Sequence, residues 1–260
     1  MGWTIELKNV WFSYVGGDYV VKNVSLKVNP GEVTAIIGPT GCGKSTILMI
    51  MAGLLTPIRG KVYYNGEPLE DILSKVKKHI GILFQDPNDQ LFNSTVYDEI
   101  AYALRSLGLN EEVTKERVLN IAKQLKVNHL LDRPPFRLSV GEMKKVALAS
   151  VLVYNPNVIL LDEPTANLDF EGVEVVKNIV LKAKNEGKTV VLASHDLDFI
   201  LQVSDKIYIV NDGQVKVKCK PTDLLRDEVL SKVNLYPPLI YSLIRRLNLD
   251  HNELLKLIRG

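Results

Sequence analysis

The segment GPTGCGKST at residues 38–46 lies between an apolar run, VTAII, and a second one, ILMIMAGLL. A GxxxxGK[ST] loop between a strand and a helix suits phosphate binding. Its glycines let backbone N–H groups curl toward phosphate oxygens, and the helix N-terminus adds positive potential. Lys44 then reaches β/γ-phosphates and Ser45 offers a hydroxyl to Mg2+. In NVILLDEP, Asp162 and Glu163 close another apolar run, and alternation along a strand aims the two carboxylates differently. Asp162 suits a Mg2+ shell, and Glu163 suits polarising a water for in-line attack on a γ-phosphate. His195 follows a third run, TVVLAS, so all three motifs fall at carboxyl ends of strands, where open parallel sheets bind ligands. Cys42, beside a helix N-terminus and two residues from Lys44, is expected to have a lowered thiol pKa.

LSVGE at 138–142 has two readings. Ser139 as N-cap and Glu142 three residues on make a capping box for the helical run MKKVALASVLVY, a complete structural explanation. The same helix N-terminus also suits presenting the Ser139 hydroxyl and the Gly141 N–H to a phosphate held by another molecule.

The elements that must carry these groups are legible in outline. TIELKNVWFSY, VVKNVSLKV and KVYYNG read as short, mostly antiparallel strands punctuated by turns, beside the buried strand VTAII. From Thr95 the periodicity becomes helical, with Ile100, Ala103, Leu104 and Leu107 on one face, and helical patterns continue to about Tyr154. NVILLD, KTVVLAS and KIYIVND are too short for helices and are separated by helical stretches, which predicts parallel strands in an α/β unit. Asn211, Asp212 and Gly213 then turn the chain into a hairpin with QVKVK. After Pro221 a small helical subdomain is expected, with Ile240, Leu243, Ile244 and Leu247 as its apolar stripe.

Composition narrows the class. At 260 residues with 46% hydrophobic and 24% charged residues, the chain can build a sizeable core and is neither disordered nor fibrous. A formal charge of +2 supplies no field for capturing nucleic acid, so no nucleic-acid partner is expected. The longest apolar stretch, residues 46–55, is too short to span a bilayer, and the N-terminus has no signal-peptide pattern. Cys42 and Cys219 have neither metal-ligand spacing nor a disulfide framework, which fits a reducing cytoplasm.

Six ordered motifs now identify a family. GPTGCGKST, Gln85 in LFQDP, LSVGE, VILLDEP, NLD at 167–169 and ASHD resemble the Walker A, Q-loop, signature, Walker B, D-loop and switch motifs of ABC-type ATPases, over about residues 4–218. QDPNDQLFNSTVYDEIAYAL, above all Asp89, Gln90, Leu91 and Phe92, looks like the segment after the Q-loop in energy-coupling factor and cobalt/nickel-type members, and LYPPLIYSLIRRLN is similar to their C-terminal extension.

The resemblance implies an α/β P-loop ATPase domain over 1–220, with an N-terminal antiparallel subdomain and a helical insert at about 86–155, followed by a helical extension over 221–260. It implies ATP and Mg2+, a second ABC subunit as homo- or heterodimer partner, and membrane-embedded transporter subunits that hold the chain at the cytoplasmic face of the membrane while it powers vitamin or cobalt/nickel uptake. On this pattern Gly38, Thr40, Gly41, Cys42, Gly43, Lys44, Ser45 and Thr46 cradle the nucleotide, and Tyr14 stacks on adenine with Tyr19 as rival. Ser45, Gln85 and Asp162 hold the metal; Glu163 is the base; Gln85 and His195 sense the γ-phosphate. Ser139, Gly141 and Asp169 face nucleotide from the signature and D-loop. Leu91 and Phe92 follow the Q-loop in a polar setting, which suits either lining a groove for short helices of the membrane partner or ordinary burial in the helical insert.

Two positions depart from the family's LSGGQ: Val140 replaces its first glycine and Glu142 its glutamine. A β-branched residue restricts the backbone, and a carboxylate facing ATP is repelled unless it turns back to the Ser139 N–H. DNA-repair members carry a long coiled coil between Walker A and signature, for which the 95 residues from Lys44 to Ser139 leave no room; translation factors typically carry tandem ABC domains, whereas these 260 residues hold one set of motifs, so neither class is expected.

Overall fold

The computed structural model describes residues 2–226 and Val229. Its strands are β1 (Ile5–Ser13), β2 (Tyr19–Val28), β3 (Val33–Ile37), β4 (Arg59–Tyr64), β5 (Glu67–Pro68), β6 (Ile80–Leu83), β7 (Val158–Asp162), β8 (Thr189–Ala193), β9 (Lys206–Asn211) and β10 (Gln214–Cys219). The helices are α1 (Lys44–Met51), α2 (Leu69–Val76), α3 (Val96–Ser106), α4 (Glu111–Gln124), α5 (Val140–Leu152), α6 (Phe170–Asn185) and α7 (Leu197–Val203).

Among the described residues, β2-β1-β4-β5 form an antiparallel sheet and β10-β9-β3-β8-β7-β6 a larger one. Strands β6 to β9 run parallel with β3, and β10 closes the far edge antiparallel. Every residue of β3, β7 and β8 is buried, which is why these strands read as unbroken apolar runs rather than alternating ones. Their faces still differ. Val33, Ala35 and Ile37, Ile159 and Leu161, and Val190 and Leu192 pack with the α3, α4 and α5 layer. Ile36, Val158, Leu160 and Val191 pack with α1 and the antiparallel sheet. Helix α1 therefore has core on most sides, and its all-round apolar sequence follows from that position.

The expected turn is present: Asp212 and Gly213 both have positive φ, the geometry of a two-residue hairpin loop. Lys22 donates its backbone N–H to Gly213 O and pairs with Asp212, so this hairpin docks on β2. The expected stripe on α3 stops one residue short. Ile100 and Leu104 are buried, but the helix ends at Ser106 and Leu107, its C-cap, is exposed. Strand β6 and helix α2 add to the elements expected from the sequence. Between β6 and β7 the chain forms α3, α4, α5 and short 3-10 turns, and after β10 the last described element is a 3-10 turn, Pro221–Leu225, whose Leu224 and Leu225 join the core. Ile240, Leu243, Ile244 and Leu247 lie outside the described residues.

Candidate nucleotide site

Parallel register sets the site. Ile36 pairs with Ala193, Ala193 with Asp162, and Leu161 with Leu83, so the chain leaves β3, β8, β7 and β6 along one edge. The loop from Gly38, the pair Asp162 and Glu163, His195 and Gln85 are thereby gathered at four neighbouring strand ends. Thr40, Gly41, Gly43, Lys44, Ser45, Thr46, Gln85, Asp162, Glu163 and His195, with Val20, line one cavity of about 330 Å3.

The loop owes its shape to glycine. Gly43 caps α1 at φ +103°, a left-handed conformation, and a Cβ there would meet Val20 O at 2.9 Å. Lys44 is buried and donates to Gly38 O at 2.9 Å and Pro39 O at 3.1 Å, which holds its ammonium across the loop. Cys42 lies buried beneath. Its thiol pKa is raised, because burial outweighs the attraction of Lys44; the expectation of a lowered value is corrected, since proximity to Lys44 in sequence carried no information about burial.

The two carboxylates diverge as strand alternation requires. Asp162 accepts a hydrogen bond from the Ser45 side chain, while its Oδ1 is buried without a hydrogen-bond partner. Burial raises its pKa, with Glu163 adding to the rise. An orphaned carboxylate oxygen on Asp162, which is hydrogen-bonded to Ser45, in a cavity that Ser45 and Gln85 also line, offers hard oxygen donors, which fits Mg2+. Glu163 sits at φ +46°, a strained value for a non-glycine residue, with its carboxylate fixed from β8's end. Ser194 Oγ donates to Oε2 at 3.1 Å, the His195 N–H points at the same oxygen at 3.4 Å, and His195 Nδ1 lies 2.8 Å from Oε1. Fully buried Ser194 went unnoticed in the sequence, although its place between TVVLA and His195 put it there.

Of the two tyrosines, Tyr14 reaches the loop: its hydroxyl is 3.3 Å from Thr46 Oγ1. Tyr19 instead packs edge-on against Trp11, ring centroids 5.2 Å apart.

Ser139, Gly141 and Asp169 do not line this cavity. Ser139 caps α5 in a complete capping box: the Glu142 N–H donates to Ser139 Oγ at 3.3 Å, and the Ser139 N–H and hydroxyl both donate to Glu142 Oε2 at 2.8 Å. The expected turn-back of Glu142 is thus present, and the Ser139 backbone N–H, then its hydroxyl, hold the Glu142 pKa down. Val140 occupies the first helical turn with its side chain exposed, so the missing glycine does not disturb the helix. Gly141 is different: a Cβ there would meet Asn167 O at 2.9 Å. Asp169 caps α6 by accepting from the Gly172 N–H at 2.8 Å. Leu91 packs against the core, whereas Phe92 is exposed and edge-on to exposed Tyr102 at 5.0 Å.

A glycine loop with its lysine, a carboxylate pair and a histidine on one parallel-sheet edge defines a P-loop nucleoside-triphosphate site. Residues 21–166 match the ABC transporter family, and the chain belongs to it. It is 35% identical to the energy-coupling factor transporter ATP-binding protein EcfA of Methanocaldococcus jannaschii over 95% of this chain and 90% of that one. Among solved structures, cbiO1 of Clostridium perfringens, part of the ABC transporter complex cbiONQ, is 34% identical with a TM-score of 0.76, covering 94% of this chain and 100% of that one. A dimeric ATP-binding cassette in a post-hydrolysis state, bound to ADP and Pi, is 31% identical with a TM-score of 0.76, covering 84% and 98%. The chain is an ATP-binding, ATP-hydrolysing enzyme of this family. None of its described helices is long and apolar enough to cross a membrane.

Proposed function

We propose that this chain is the ATP-hydrolysing subunit of an energy-coupling factor type importer of a vitamin or of cobalt/nickel ions, acting at the cytoplasmic face of the membrane through membrane-embedded partners. Residues 1–220 form its ATPase domain, with 86–155 as helical insert; the extension expected over 221–260 lies, beyond Arg226 and apart from Val229, outside the described residues.

Gly38 to Thr46 cradle the triphosphate, Lys44 exchanging its loop carbonyls for β/γ-phosphate oxygens, and Tyr14 supports the adenine. Asp162, Ser45 and Gln85 hold Mg2+, which when bound neutralises phosphate charge. Glu163, held by Ser194 and His195, orients and deprotonates the attacking water; His195 and Gln85 contact the γ-phosphate. The observation that carries this reading is the convergence of four strand ends on one cavity.

Ser139 and Gly141 stand outside that cavity, on a helix N-terminus suited to phosphate. They serve the nucleotide of a second ABC subunit, another copy in the simplest assembly or a paired relative. Asp169, paired with Lys145 of α5, and the exposed Phe170 beside it are assigned to the same contact face. Phe92 and Tyr102 form the apolar seat for the membrane partner.

The test is steady-state phosphate release with equilibrium binding of Mg-ATP. Glu163→Gln retains binding and loses hydrolysis by about 10²–10⁴-fold, the usual worth of a positioned base. Lys44→Ala loses binding. Near-normal turnover by Glu163→Gln removes Glu163 from this role.

A further inference from the structure

Two lysines are buried among the described residues. Lys44 belongs to the phosphate loop. The other, Lys144 on α5, is fully buried although the rest of that helix's buried face is apolar, with Met143, Val146, Ala147, Leu148 and Val151. Its ammonium donates to Phe84 O at 3.2 Å and to Gln85 O. Its charge also lies within the field of Asp162, Glu163 and Asp86. A buried ammonium is unfavourable unless it is paired and hydrogen-bonded, and an unbranched apolar side chain of similar length would fill the same space. Packing alone therefore does not account for Lys144. Its two carbonyl partners lie 60 and 59 residues away, in the segment that carries Gln85 into the nucleotide cavity. The N-cap of the same helix is Ser139, five residues before Lys144.

We infer that Lys144 is a positioning residue: its ammonium pins the backbone of Phe84 and Gln85 to α5, so that Gln85 in one nucleotide site and the Ser139 helix end facing the other move as one body. This rests on the reading that Gln85 and Ser139 both face nucleotide. Without the pin the strand end after β6 keeps its sheet pairing, but the Gln85 amide loses its fixed place in the cavity. Binding would persist while turnover suffers.

The full chain is assayed for ATP hydrolysis as wild type, Lys144→Met, Lys144→Arg, Gln85→Ala and the double variant Gln85→Ala with Lys144→Met. Lys144→Met is expected to lower kcat by about tenfold or more with KM for ATP changed less than about threefold, and Lys144→Arg, which keeps donors for both carbonyls, to recover most of the loss. Because the pin acts through Gln85, the double variant should match the worse single one within about twofold. Lys144→Gln carries the same cycle if the methionine variant does not fold. A folded Lys144→Met enzyme with kcat within about twofold of wild type overturns the inference, and so does a double variant whose losses multiply. Lys44→Ala and Glu163→Gln run alongside: wild-type behaviour there defeats the reading of the site, whereas their expected losses beside an unaffected Lys144→Met defeat this inference alone.

Discussion

Ser194→Ala probes how Glu163 is held without touching the atoms proposed to react. Ser194 is fully buried; its hydroxyl donates to Glu163 Oε2 at 3.1 Å and accepts from the Asp196 N–H at 3.1 Å. Alanine removes a hydrogen bond to a carboxylate, worth about 1.5–3 kcal/mol, and strips the Asp196 N–H of its side-chain acceptor. No cavity larger than one oxygen atom forms, so a loss of roughly 2–3 kcal/mol in unfolding free energy is expected, or about 4–12 °C in Tm for a domain of this size. Glu163 keeps His195 as its remaining partner, through the N–H at 3.4 Å and Nδ1 at 2.8 Å from its two oxygens. It stays at the site but is less well aimed. If half of the lost bond energy, about 0.75–1.5 kcal/mol, is expressed in the transition state, kcat falls about four- to twelvefold, since about 1.4 kcal/mol is a factor of ten. KM for ATP should change little because the phosphate loop is untouched. Differential scanning calorimetry and phosphate release at saturating Mg-ATP read the two effects separately. A variant destabilised as expected but with undiminished kcat would refute the claim that Ser194 aims the base.

Two further outcomes follow from side-chain environments. Burial keeps Cys42 protonated, so a maleimide should inactivate the enzyme only slowly at neutral pH and faster as pH rises toward the raised thiol pKa, with Mg-ATP protecting; Cys42→Ala should be active and resistant. Cys219, with its pKa pushed up to about 12 by burial, should be no faster, and prompt labelling of Cys42 at neutral pH would contradict the burial argument. Phe92→Ser with Tyr102→Ser should reduce co-purification with membrane subunits while leaving ATPase activity and Tm near wild type, whereas Leu91→Ser should lower Tm because Leu91 packs on the core. Undiminished co-purification would remove the aromatic pair from the docking surface.

What the sequence revealed and what it hid divide along a physical line. Strands β3, β7 and β8 are buried on both faces, so composition alone exposed them, and each ended in a chemically distinctive group. The capping box at Ser139 was equally local and reappears bond for bond. Strand β6 was hidden because four residues after Lys77, Lys78 and His79 carry little signal; Gly81, whose Cβ would meet Val151 Cγ1 at 2.7 Å and Pro156 Cγ at 2.9 Å, is explained by the packing of α5 and the turn that follows it. Ser194 and Lys144 act on partners 31 and 60 residues away, and no local period reports such pairs. The Cys42 thiol was misjudged for the same reason, because its burial is a property of the tertiary structure.

If the signature helix of a second subunit completes the nucleotide site, as proposed, two variants that are each inactive should restore hydrolysis when mixed. Lys44→Ala has no working phosphate loop but an intact Ser139; Ser139→Arg has the reverse. Neither alone should hydrolyse ATP. Mixed in equal amounts, random pairing makes about half of the dimers mixed, each with one of two sites intact, so roughly a quarter of the wild-type activity per chain should return, and only at concentrations that support dimers. Activity that stays at the level of the separate variants across the whole concentration range, while both remain folded, would contradict assembly of the site between two copies of this chain.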